Sequence, residues 1–155
     1  MDRDLSMSIN SATLRRLYAY WLDRRGARAM PARSDIDPAD FPYALGDVFL
    51  LDVERDPLRF RYRIYASHAA ARRGYDLTGK YVHEIPDAGL RGFLLPIYAR
   101  IAAEALPFHA RRDMVLDNRT HTYEIIALPL AADQQQVDML LVAVQYAPLE
   151  GAATV

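Results

Sequence analysis

Two runs near opposite ends of the chain, Val48 to Val53 and Met139 to Val144, are apolar at nearly every position. A strand that is apolar at both odd and even positions needs cover on both faces. The two runs therefore belong side by side in the middle of one sheet. Everything between them in the chain must close around that pair.

The text between supplies the rest of the sheet and one of its covers. Asp56-Pro57 marks a turn, and Arg59 to Tyr65 then alternates strictly. Alternation puts Arg59, Arg61 and Arg63 on one face and Phe60, Tyr62 and Ile64 on the other, as in a half-exposed strand near a sheet edge. Ser67 to Arg73 reads as a short helix capped by Ser67 and closed by Gly74. A longer helix follows from Ala88 to Ala105, with Leu90, Leu94, Ile97 and Ile101 at helical spacing and Pro96 expected to kink it. Three strands complete the order: Pro107 to Leu116, Thr120 to Leu130 after the turn Asp117-Asn118-Arg119, and Val137 to Tyr146. Short connections favour antiparallel neighbours. The fold class is α+β, with a five-stranded antiparallel sheet in the order 2-1-5-4-3 and the helical middle on one face.

Before the sheet lies an amphipathic helix, from Ser11 to Arg25, with Leu14, Leu17, Tyr18, Trp21 and Leu22 on one side. So apolar a stripe must lie on something. It covers either the second face of the chain's own sheet or a second copy, and Leu14, Leu17, Tyr18 and Trp21 are the candidate dimer residues. The connector from Ala29 to Leu45 holds Pro31, Pro38 and Pro42, which block a long helix or a central strand. Met30, Ile36, Phe41 and Tyr43 anchor it. The expected organisation is a disordered start over 1–10, one domain over 11–146 (helix 11–26, core 47–146) and a frayed tail over 147–155.

Composition removes several function classes. The chain of 155 residues has no cysteine, which excludes disulfides, thiolate zinc sites, thiol nucleophiles and a cysteine-linked flavin. Nineteen basic residues, all arginine except Lys80, balance twenty acidic ones, so no global field recruits nucleic acid or anionic lipid. Met1 to Asn10 has no apolar core of a signal peptide, and no run approaches the ~20 apolar residues of a membrane span. A cytoplasmic protein without membrane or nucleic-acid partners is the expectation.

The stretch Ser67 to Lys80, in which a small helix ends in Gly74-Tyr75 and is followed by Gly79-Lys80, resembles PAS domains. Trp21, Gly26, the run Met30 to Pro38, Phe60 to Ile64 and Leu128-Pro129-Leu130 are similar to a single-domain α-proteobacterial PAS family formerly catalogued as a domain of unknown function. The resemblance covers about Ala12 to Tyr146 and departs at Tyr65-Ala66-Ser67, where such proteins tend to carry Gly-Thr. It implies a PAS-like fold and a non-enzymatic sensory or adaptor role. The implied partners are a small-molecule ligand, an unidentified signalling protein and a second copy of the chain. The pocket it implies lies between sheet and helical middle, where Tyr62, Ile64, Ile97, Tyr98, Met114, Tyr123 and Ile125 are the candidate lining.

Three other readings bear on the same residues. In haem-binding PAS domains the axial ligand is most often a histidine on the long helix, and Ala88 to Ala105 has none, so no cofactor is expected. His68, His83, His109 and His121 have no metal-like spacing, and His109 and His121 read as exposed strand residues. A small isomerase-like enzyme would need a buried carboxylate, Asp113 or Glu124, beside Tyr98 or Tyr123. The arginine stripe Arg59, Arg61 and Arg63 could track phosphates, but Asp52, Glu54 and Asp56 stand ready to neutralise it. A docking module with a filled core is the remaining alternative.

Overall fold

The computed structural model describes residues 4–116 and 118–146, with the backbone alone for Met114 and Leu116. Helix α1 (Ala12–Arg25) is followed by three short 3-10 turns (Arg33–Asp35, Pro38–Asp40 and Pro42–Asp47). Then come β1 (Val48–Glu54), β2 (Arg59–Ile64), α2 (Ser67–Arg73), a 3-10 turn at Val82–Glu84, α3 (Ala88–Glu104), β3 (Phe108–Leu116), β4 (Arg119–Leu130) and β5 (Met139–Tyr146). The strands form one sheet in the order β2-β1-β5-β4-β3, every neighbouring pair antiparallel. The two doubly apolar runs are neighbours, with Leu50 opposite Leu141 and Leu51 opposite Leu140. Burial of all four leaves no other arrangement for them.

Strand alternation divides the sheet into two faces. Tyr123 and Ile125 of β4 point toward α3, whose buried stripe is Leu90, Leu94, Tyr98 and Ile101. Glu124, Ile126, Leu128 and Leu130 point the other way, toward α1. There the Trp21 indole N–H donates to the Pro129 carbonyl at 3.0 Å. Leu14, Leu17, Tyr18 and Trp21 are all buried within this chain. The candidate dimer stripe is therefore buried against the chain's own sheet, where β4 and β5 present an apolar second face that α1 covers.

The start of the chain departs from its expected disorder. From Asp4 onward it folds against the domain: Leu5 and Ile9 are buried, and the Leu5 N–H donates to the Tyr18 hydroxyl at 3.4 Å. Leu5 and Ile9, four apart, lie on one turn, the Ile9 N–H donating to the Leu5 carbonyl at 3.2 Å, so both side chains are buried together. Residues 1–3 and the frayed tail expected over 147–155 lie outside the described residues. In the connector Met30, Ile36 and Phe41 are buried as its anchors, and α3 runs through Pro96 without interruption. Two of the three stripe arginines are paired across the hairpin, Arg63 with Asp52 (3.1 Å) and Arg59 with Glu54 (2.9 Å), while Arg61 donates to the Gly79 carbonyl at 3.1 Å.

Gly74 ends α2 in the left-handed conformation, φ 86°, with its N–H on the Ala70 carbonyl at 2.8 Å. An added Cβ would meet no atom within 4 Å, so a substitution pays only in backbone strain. Gly74→Ala should cost about 1–2 kcal/mol in urea denaturation, and Gly74→Asn distinctly less.

Candidate functional site

Between α3 and the sheet lies a cavity of about 30 Å³. Its wall is mostly aromatic. Tyr62 of β2, Tyr98 of α3, and Tyr123 and Ile125 of β4 line it, four of the residues expected there. The other three expectations fare differently. Ile64 is 40% exposed and turns away. A bulge between Leu50 and Leu51 pairs Tyr62 with Leu51 but Ile64 with Leu50, so Ile64 falls on the face opposite Tyr62. Ile97 sits at the edge of the buried α3 stripe and lines a separate groove with Leu5, Ile101 and Phe108. Met114 lies on β3 opposite His121, and its side chain is outside the described residues.

The residues that sequence reasoning missed are the polar and C-terminal ones. Tyr146 continues the alternation of Val142 and Val144 on β5, a signal that was present. Tyr65, just past β2, packs edge-on against Phe49 (5.0 Å) and Tyr62 (4.9 Å). Arg73, the last residue of α2, looked like an ordinary surface charge. Its side chain is only 7% exposed and forms part of the cavity wall.

Burial pushes the phenols of Tyr62, Tyr65 and Tyr98 well above their ordinary value. Burial also raises Tyr123, against the hydrogen bond it accepts from Arg112 at 3.1 Å. These four tyrosines therefore offer neutral hydroxyls at physiological pH, able to donate and accept. Its formal charge comes from Arg73. Two further guanidinium groups lie on rings nearby: Arg72 over Tyr146, a wall residue, at 3.8 Å, and Arg112 over Phe93 at 4.7 Å.

The carboxylate–tyrosine pairing that an isomerase-like site needs is not assembled. Glu124 lies on the α1 face, the side of the sheet opposite Tyr98 and Tyr123. Asp113 shares that side and accepts the Thr122 hydroxyl at 2.6 Å. Glu124 instead holds the chain start. It accepts the N–H groups of Asn10 (2.7 Å) and Ser11 (2.8 Å) and pairs with His109 Nε2 at 2.6 Å. The side chains of His109 and Glu124 are 10% and 9% exposed. His121 is buried too, on the face opposite His109, so neither is the exposed strand residue expected, and the two do not meet. Among the described residues no group of three metal-ligating side chains comes together. None of the described helices is long and apolar enough to cross a membrane.

An antiparallel sheet of this order, with α3 over a tyrosine-lined cavity on one face and α1 on the other, defines the α+β class of this domain. Residues 9–145 match the PAS domain family, and the chain belongs to it. Among solved structures it is similar to the PAS domain of BvgS from Bordetella pertussis. The TM-score is 0.56 at 17% identity, covering 70% of this chain and 81% of that one. That likeness is one of fold. No curated protein matches.

Proposed function

We propose that this chain is a non-enzymatic, cofactor-free signalling domain that takes a small ligand into the cavity between α3 and the sheet. It would pass on occupancy by contact with a separate protein in the cytoplasm. One observation carries this reading: a buried guanidinium and several tyrosine hydroxyls converge on a cavity in an otherwise apolar interior. A domain serving only as a docking surface gains nothing from polar groups there, and burying them is costly unless they are satisfied. The PAS family, generally sensory and signalling, supports the same direction.

A second reading has its own support. A cavity of about 30 Å³ holds little more than a water or two. A docking module with a filled core would look the same. Self-association under either reading has to use surface other than Leu14, Leu17, Tyr18 and Trp21.

Native mass spectrometry of the purified full chain, together with thermal denaturation against a panel of small metabolites, separates the two. The sensor reading expects a bound small molecule, or a melting temperature that rises saturably with one of them. A bare protein that responds to nothing leaves the docking module.

A further inference from the structure

We propose that the outer edge of β3 is a self-association surface, on which β3 of a second copy of this chain pairs antiparallel and continues the sheet. The seam centres on Arg112, so that Arg111 of each copy faces Asp113 of the other. The inference stands apart from the cavity and whatever fills it.

A sheet of this order has two edges, β2 and β3. Residues 79–81 close the first. The Tyr62 N–H donates to the Lys80 carbonyl at 2.8 Å, the Gly79 N–H donates to the Tyr62 carbonyl at 2.7 Å, and Arg61 bridges Tyr81. At the second edge, among the described residues, no backbone hydrogen bond reaches β3 from any element but β4. β3 holds one register along its whole length, from Phe108 opposite Ala127 to Leu116 opposite Arg119. It contains neither proline nor lysine. The bulge, proline or lysine that commonly blunts an edge strand is thus missing. Leu116 and Arg119 face each other across a two-residue connection, which makes them a hydrogen-bonded pair. Alternation then turns the N–H and C=O groups of His109, Arg111, Asp113 and Val115 away from β4, toward a further strand.

Charge selects the occupant and its register. Arg111 and Asp113 are exposed and, two residues apart, share one face of the sheet. A twofold axis through Arg112 sets each Arg111 directly opposite Asp113 of the other copy, in hydrogen-bonded pairs. Moving the axis to Arg111 or to Asp113 sets that residue against its own copy, a like-charge pair. The Arg112-centred register also overlaps the strand with itself over all of Phe108–Leu116. Val115, an apolar side chain 72% exposed, then comes opposite His109 and gains cover. Arg112 meets its own copy at the axis, but on the other face. There it is drawn back onto its own chain, lying over Phe93 at 4.7 Å and donating to the Tyr123 hydroxyl at 3.1 Å. Charges that turn away an arbitrary strand thus admit one partner in one register.

The test is sedimentation equilibrium of the full chain from micromolar to millimolar concentration, where a monomer–dimer equilibrium is expected. Arg111→Asp and Asp113→Arg should each weaken the dimer by about tenfold, because each turns both cross-strand pairs from opposite to like charge. An equimolar mixture of the two variants should recover the wild-type affinity, since unlike charges again face each other in both pairs. Circular dichroism checks that the variants, both at exposed positions, keep the native fold. Hydrogen exchange on the wild-type chain needs no variant: the amides of Arg111 and Asp113 should become protected as concentration rises. A dimer unmoved by either folded variant, or one that leaves those amides unprotected, overturns the β3 edge. Variants that weaken the dimer but do not recover on mixing overturn the Arg112-centred register. A chain that stays monomeric throughout overturns a second copy as the occupant and leaves the edge to a strand of another protein.

Discussion

Trp21→Ala should destabilise the domain by about 3–5 kcal/mol, the usual cost of deleting a buried tryptophan side chain. The ring is fully buried, lies beside Tyr18 at a centroid distance of 6.2 Å and supports the Arg25 guanidinium at 5.4 Å. Its N–H is committed to the Pro129 carbonyl. Removing it opens a cavity between α1 and the middle of the sheet and strands a buried acceptor. Trp21→Phe restores most of the volume and should cost only about 1–3 kcal/mol, mainly for the stranded carbonyl. Urea denaturation gives both numbers. Sedimentation of the same samples distinguishes a structural helix from an interface. A Trp21→Ala chain of native stability that had merely lost a dimer would contradict the placement of α1.

Glu124→Ala should come next in size, at about 3–5 kcal/mol, because it leaves His109 and two N–H groups buried without their acceptor. Glu124→Gln keeps one carbonyl oxygen and should cost about 1–3 kcal/mol. Burial acts to raise the Glu124 carboxyl pKa, but the hydrogen bonds from Asn10, His109 and Ser11 outweigh it. They hold the group below its ordinary value of 4.5. A carboxyl depressed in the folded state contributes stability that is fully present above its unfolded value and lost as pH falls through the folded one. The stability gap between wild type and Glu124→Gln should therefore be widest above pH 4.5 and close as the solution is made more acidic. Denaturant midpoints across that range measure it, and a gap independent of pH would remove the ionised carboxylate from the account.

The sheet was legible because its signal is redundant. Val48 to Val53 and Met139 to Val144 each demanded cover on two faces, and only adjacency in the centre satisfied both. The site was legible where periodicity alone decides direction, as at Tyr62, Tyr98, Tyr123 and Ile125. It failed where one residue changes the phase. The bulge in the β1–β2 pair reverses Ile64, and nothing in Arg61-Tyr62-Arg63-Ile64 announces it. The same phase change brings Tyr65 to the cavity, at the position where the sequence departs from Gly-Thr. Charged residues were the other blind spot. Arg73, His109 and Glu124 look like surface groups in one dimension. Their burial comes from elements distant in the chain, such as Asn10 and Ser11 at Glu124.

Tyr123 and Glu124 are consecutive residues that leave the same strand in opposite directions, one into the cavity wall and the other to the clasp on the chain start. The sheet at this point is a partition one peptide thick. On one side stands the Tyr123 ring, and on the other the Glu124 carboxylate holds the N–H groups of Asn10 and Ser11. The interior of the domain and the footing of its first helix are therefore anchored on adjacent residues of one strand, β4.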